Sequence, residues 1–187
     1  MAKRDSKKQS ILDAAERLAR EGGYHDVSFR RIADDVGIKS ASVFHHFASK
    51  EELGAAMARR YTDRFMETIG DAHDTSISAK KKLTSYCEAY RNALKVDRQM
   101  CLCGMLGAEI NSLPGDVARE ARRFFDLNID WLEAALTSAS DEHSTPGGAR
   151  SKALLVLSAL EGALIVSRAT GDLSIIDQIS DQLSRLT

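Results

Sequence analysis

Proline is nearly missing from this chain: 187 residues contain two, Pro114 and Pro146. Long stretches without a helix breaker suit a helical protein, and no segment reads convincingly as a strand. The three cysteines, Cys87, Cys101 and Cys103, are odd in number and do not make a disulfide framework. They include no C-x-x-C pair, and the histidines lie far off in sequence, so no metal site is expected. The basic start is followed by no apolar segment, which argues against a secretory signal. The longest apolar run, 153–166, is interrupted by Ser158, Glu161 and Gly162 and is expected to be too short to span a bilayer. Catalytic and phosphate-binding signatures (G-x-S-x-G, H-E-x-x-H, a P-loop, a Rossmann glycine fingerprint) are absent too. These absences lead to the expectation of a soluble, cytoplasmic protein with no cofactor, no membrane association and no enzymatic activity.

A net charge of −1 conceals an uneven distribution. Residues 1–50 carry 10 Lys/Arg against 7 Asp/Glu, while residues 51–187 carry 16 against 20. A basic head on an acidic body fits a nucleic-acid reader with a separate sensing module, although so small an excess is weak evidence alone. Residues 1–8 are polar and basic and read as a terminal arm. A first helix over 6–20 carries Ile11, Leu12, Ala15 and Leu18 on one face, and Gly22-Gly23 ends it.

The most informative stretch is 27–53. Ser28 stands at an N-cap position, with Arg31 rather than Glu three residues on, so a plain cap is expected. Phe29, Ile32, Ala33 and Val36 recur at helical spacing, and Gly37 falls where a C′ glycine ends a helix. A second short helix starts near Ser40 and turns Val43 and Phe47 inward, leaving Lys39, Ser42, His45 and His46 outward. Ser49 and Glu52 form an S-x-x-E capping box for a long helix over 49–70. Helix, glycine turn, helix is a unit whose second helix can enter the DNA major groove. In that geometry Ser28 and Arg30 sit beside the backbone groove, where Arg30 can grip phosphate or reach a guanine edge, and Lys39, Ser40 and Ser42 lie nearest the bases. Adjacent His45 and His46 project about 100° apart on a helix and would not converge on a metal.

The run from Ile32-Ala33 through Gly37-Ile38 to Phe44-His45-His46-Phe47-x-Ser49-Lys50-Glu51-Glu52-Leu53 closely resembles the N-terminal signature of the TetR/AcrR family of transcriptional regulators. The resemblance covers about residues 8–54. It implies an all-α fold with a three-helix DNA-binding head over 1–50 and a helical effector-binding and dimerisation body over 51–187. It also implies a double-stranded, palindromic DNA operator and a homodimer that acts as a repressor. Phe44, His45 and Lys50 take backbone-facing positions by the same resemblance, with Lys50 on a phosphate. The family usually has Tyr where this chain has Phe44, so the hydroxyl that would reach phosphate is missing.

Beyond the head, helices are expected over 79–96, 100–109, 117–139 and 149–169, with a last one striped by Ile176, Ile179, Leu183 and Leu186. Lys80, Lys81 and Lys82 read as a solvated charge cluster. Residues 140–148, with Pro146, Gly147 and Gly148, read as a linker. Helix 149–169 is apolar nearly all round and needs covering on most sides. A dimer seam through Leu157, Leu160, Gly162, Leu164, Ile176, Ile179 and Leu183 would cover it, as would a central place in a monomeric bundle. Candidates for a small-molecule effector pocket are Tyr86, Tyr90, Cys103, Met105, Phe124, Phe125 and Trp131, with Glu109 and Asn111 as polar contacts. Residues of these types at helical spacing are more often core than ligand contacts. Cys101-Leu102-x-Gly104-x-Leu106-x-x-Glu109 resembles a subgroup of the family that includes electrophile- and oxidant-responsive repressors. A sensing thiolate needs positive charge or a helix N-terminus nearby, and Cys101 is expected in the first turn of its helix close after Arg98. The alternative is an inert buried thiol. A helical interaction module that binds no DNA, or an enzyme without recognisable motifs, remain the competing classes.

Overall fold

The computed structural model describes residues 2–96, 98–137 and 148–186, with the side chains of 2–5 left out. Among the described residues there are nine α-helices, one 3-10 turn and no strand. They are α1 (Ala2–Gly22), α2 (Phe29–Val36), α3 (Ser40–His46), α4 (Lys50–Ile69), α5 (Ala79–Lys95), α6 (Leu102–Ala108), α7 (Gly115–Thr137), α8 (Gly148–Thr170) and α9 (Ser174–Leu183), with the 3-10 turn at Tyr24–Asp26. Of the expected linker over 140–148, residues 140–147 lie outside the described residues and Gly148 opens α8. Helix α1 starts at Ala2, earlier than its apolar pattern indicates.

The chain packs into two compact units: Met1–Asp63 with Leu102–Phe124, and Arg64–Cys101 with Phe125–Thr187. The division expected at residue 50 is not the one packing draws. The first unit claims the start of α4, all of α6 and the first half of α7, because long-range bonds tie them to the head. Glu109 accepts the Tyr24 N–H at 3.2 Å, Arg59 pairs with Glu120 at 2.6 Å, and Arg123 pairs with Asp63 at 2.8 Å. Tyr61 and Phe124 add a ring contact at 5.7 Å. Partners so distant in sequence leave no local signal.

Local signals set the head's helix ends as expected. Ser28 accepts the Arg31 N–H at 3.2 Å, and Gly37 takes the left-handed conformation at φ 69°, which non-glycine residues adopt at a cost. Ser49 accepts from Glu52 N at 3.0 Å, while the Glu52 carboxylate reaches back to Ala48 N at 2.8 Å, one residue beyond the usual box. Ile11, Ala15, Val27, Ile32, Val43, Phe47, Leu53 and Met57, all nearly inaccessible to solvent, fill the space these helices enclose.

The interior of the second unit combines aromatic rings with hydrogen-bonded polar groups. Tyr86 stacks on Trp131 with ring centroids 5.5 Å apart and bonds Asn128 at 2.7 Å; Trp131 Nε1 donates to the Gly70 carbonyl at 2.7 Å. Two expectations fail in this unit. Lys82 is not solvated: it is buried, and its ammonium donates to the Ala72 carbonyl at 2.6 Å, which a long side chain can reach from the first turn of α5. The apolar segment of α8 is also not too short to cross a membrane: at 23 residues it meets the requirement by length and composition. Val156, Leu157, Leu160 and Leu164 are buried within the chain, other apolar residues stay exposed, and the helix carries the ionisable Glu161.

Candidate nucleic-acid interface

Helices α2 and α3 present a polar, open surface because their apolar residues are used up underneath. Val43 and Phe47 point into the head core, which turns Lys39, Ala41, Phe44 and His45 to solvent and leaves Ser40 and Ser42 half-exposed. Lys39 occupies the N-cap of α3 with no side-chain cap bond. Lys39 and Arg30 are exposed and make no ion pair among the described residues. Arg31, beside Arg30, is instead held at 2.9 Å by the Asp26 carboxylate and donates to the Asp26 carbonyl. Two adjacent arginines are therefore separated by geometry into one anchor and one available cation. Ser28 uses its oxygen to cap α2, which leaves its hydroxyl hydrogen to donate.

Phe44 is 58% exposed, an unusual setting for a phenylalanine. It meets Phe29 edge-on with centroids 4.5 Å apart, so the ring is braced while its outer face stays open. His45 and His46 rings lie 5.8 Å apart. Lys50 begins α4 with its ammonium 4.4 Å over the Tyr24 ring and 3.4 Å from the His25 carbonyl. Partial burial lowers its pKa, and the carboxylates of Glu109 and Asp26 offset part of that effect. Tyr24 in turn donates its hydroxyl to the Lys50 carbonyl at 3.0 Å, and burial pushes that phenol up to about 12. Tyr24 and Glu109 thus brace the site; Tyr24 was expected to pack back on the head, but the part played by Glu109 was missed. Gly22-Gly23 before Tyr24 marks a break, but nothing in the sequence points from it to a residue 85 positions away.

The other candidates are distributed over both units. Tyr86, Tyr90, Trp131 and Cys101 belong to the second unit, whereas Cys103, Met105, Phe124 and Glu109 belong to the first. Tyr86 and Tyr90 join Phe65 and Trp131 in an aromatic cluster with centroids 5.5 to 5.8 Å apart. Cys101 precedes α6 rather than opening it, and it is 2% exposed. It donates to Glu161, a carboxylate, which is the opposite of the positive setting expected for it. Glu161 also accepts from the Tyr90 hydroxyl at 3.1 Å, and its burial raises its pKa. Burial pushes the Cys87 thiol up to about 11.

The expected dimer residues need correction. Leu157, Leu160, Leu164, Ile176 and Leu183 are buried within this chain, and Ile179 is half-buried. Apolar residues that α8 leaves open are Leu154, Leu155, Ile165 and Val166, which share one stripe with half-exposed Gly162. A helix apolar on all sides does not reveal in its sequence which stripe faces inward.

A capped helix-turn-helix with its second helix open to solvent defines the class: a nucleic-acid-binding head on a helical body. Residues 11–57 match the family described as bacterial regulatory proteins, tetR family, and residues 79–182 match the C-terminal domain of LmrA/YxaF-like transcriptional regulators. A TetR transcriptional regulator from Legionella pneumophila shares 33% identity and superposes with a TM-score of 0.86, with 95% of each chain covered. Among curated relatives, the transcriptional activator FasR of Mycolicibacterium smegmatis is 29% identical over 96 residues, 51% of this chain and 44% of FasR. The transcriptional repressor AcnR of Corynebacterium diphtheriae is 37% identical over 65 residues, 35% of this chain and 34% of AcnR. The chain thus spans less than half the length of either curated relative. It belongs to the TetR family of transcriptional regulators, DNA-binding proteins rather than enzymes.

Proposed function

We propose that this protein is a homodimeric, cytoplasmic repressor that reads a palindromic operator through α3 and leaves it when a small molecule occupies the body. The observation that carries this reading is the open face of α3, with Lys39 at its start and Arg30 alongside on α2, both exposed and without ion pairs among the described residues. Lys39, Ser40 and Ser42 read base edges; Ser28, Arg30, Phe44, His45 and Lys50 hold the backbone. Binding by two heads requires two-fold symmetry, because half-sites lie about one helical turn apart. The open stripe of α8 supplies an apolar surface for that partner, and repression follows from a tightly held operator that blocks transcription. A reversible ligand is a better releasing signal than thiol modification, because Cys101 is buried and hydrogen-bonded to Glu161, out of reach of a reagent in solvent.

The test is a gel-shift on DNA flanking the gene, with a binding-site selection on parent and Lys39→Ala proteins. Lys39→Ala should relax discrimination at particular base pairs by roughly 1–3 kcal/mol. An unchanged consensus would remove Lys39 from base reading, and no shift on any DNA would remove the operator. For the dimer, Ile165→Glu places a charge on the open stripe without disturbing the core. Sedimentation should show half the parent mass; an unchanged dimer would put the seam elsewhere.

A further inference from the structure

Glu109 is the only acidic residue in the run 101–109. It follows the last turn of α6 and is half-buried, in the same compact unit as the DNA-binding helices. Its carboxylate accepts the N–H that opens the 3-10 turn, that of Tyr24, at 3.2 Å, and makes no other hydrogen bond among the described residues. The approach is too close for any side chain at position 23: a Cβ on Gly23 would lie 1.8 Å from the Glu109 oxygen. Gly23 also has φ 84°, so only glycine meets both conditions without strain.

The turn held in this way is the seat of Lys50. The Lys50 ammonium lies 4.4 Å over the Tyr24 ring and 3.4 Å from the His25 carbonyl, and the Tyr24 hydroxyl donates to the Lys50 carbonyl at 3.0 Å. The side chain is therefore folded back on the head, half-buried, rather than extended into solvent. Burial lowers the pKa of this ammonium, and the carboxylates of Glu109 and Asp26 offset part of that effect. Asp26 is already paired with Arg31 at 2.9 Å, so Glu109 is the carboxylate left to balance Lys50.

A lysine that grips a DNA phosphate must first leave what holds it at rest. Its ammonium is a compact charge on a flexible stem, so it can move between two anions within reach. The Tyr24 ring and the His25 carbonyl are neutral. Glu109 carries a full charge, and its pull on Lys50 opposes transfer to a phosphate.

We propose that Glu109 is a positioning residue for DNA binding with two opposed effects. One carboxylate oxygen fixes the Tyr24 turn beneath Lys50, while the negative charge holds the Lys50 ammonium back from the DNA backbone. DNA affinity is thereby set below what the head could reach. This rests on the assignment of Lys50 to a phosphate made above.

Fluorescence anisotropy of the full chain with a mixed-sequence DNA duplex at low salt tests it, because backbone contacts form on any sequence. Glu109→Gln keeps an oxygen for the Tyr24 N–H and removes the charge. It should tighten binding roughly two- to fivefold, the size of one part-exposed ion pair. The gain should vanish in the Lys50→Met background. Glu109→Ala loses both effects, and its thermal midpoint should fall below that of Glu109→Gln because the Tyr24 N–H is left unpaired. Equal midpoints would overturn the part in which Glu109 fixes the turn. Unchanged or weaker DNA binding by Glu109→Gln, the mark of a purely structural residue, overturns the proposal. So does an equal gain in the Lys50→Met background, since that is plain repulsion between an acidic residue and DNA. Lys50→Met alone should weaken binding and flatten the dependence of log affinity on log salt by about one. An unchanged slope removes Lys50 from the DNA backbone and the proposal with it. A flattened slope beside a neutral Glu109→Gln removes the proposal only.

Discussion

The two units hide polar groups in different ways. In the head, charged side chains pair across helices, Arg60 reaching Asp13 at 2.8 Å and Glu16 at 3.1 Å and Glu120 taking Arg59, while buried Arg60 Nε and Glu120 Oε2 keep no hydrogen bond and the buried Thr62 hydroxyl donates to the Ala58 carbonyl. In the body, buried polar atoms are held by single, mostly neutral bonds, such as Tyr86 to Asn128 and Tyr90 to Glu161, and Ser167 has none. Multiply bonded ions fix one geometry, because shifting any helix would strand a charge in a poor solvent. Singly bonded hydroxyls can exchange partners at smaller cost.

The largest effect that sharpens this contrast comes from the head core. Phe47→Ala removes a ring that is 1% exposed beneath α3 and should cost about 3–5 kcal/mol. Urea denaturation followed by circular dichroism measures it. A loss below about 1 kcal/mol would show that the head is loosely packed and that the contrast is wrong.

A smaller effect is expected in the body. Tyr86→Phe deletes the hydroxyl that bonds Asn128 but keeps the ring stacked on Trp131. The cost should be about 1 kcal/mol by the same denaturation, with the aromatic cluster intact by near-ultraviolet dichroism. A loss of more than about 3 kcal/mol would mean that the body's polar bonds are as binding as the head's ion pairs.

The smallest effect is a pH slope. Burial holds the Glu161 carboxyl above its ordinary value of 4.5, so the folded state keeps this proton more readily than the unfolded state does. Its contribution to stability is therefore complete below about pH 4.5 and declines as pH rises through the raised folded value. Glu161→Gln, which stays neutral, should flatten that decline in melting curves taken from pH 4 upward. Equal slopes in parent and variant would show that Glu161 folds already ionised.

Much of the head could be read because its instructions are local. Ser28, Gly37, and Ser49 with Glu52 each act within a few residues of the helix end they set, and the structure uses all of them. Alternation of apolar residues fixed which side of α3 faces inward, since a short helix with Val43 and Phe47 as its only strong anchors has one way to pack. The body was read less well for the converse reason. Lys82 was misjudged because its acceptor lies in the loop before α5, and Cys101 because its neighbour Glu161 comes from another helix.

What the sequence determined by itself was therefore the helical class, the caps, and the outward residues of α2 and α3, all governed by spacing within one turn of helix. Tertiary structure alone decided that α6 and the first half of α7 join the head, that Leu157, Leu160 and Leu164 face inward while Leu154, Leu155, Ile165 and Val166 do not, and that Ser167 lacks a partner. Each of these depends on which segments meet across long separations. Burial and pairing free energies are collected there, and a helix's own periodicity cannot distinguish one apolar stripe from another.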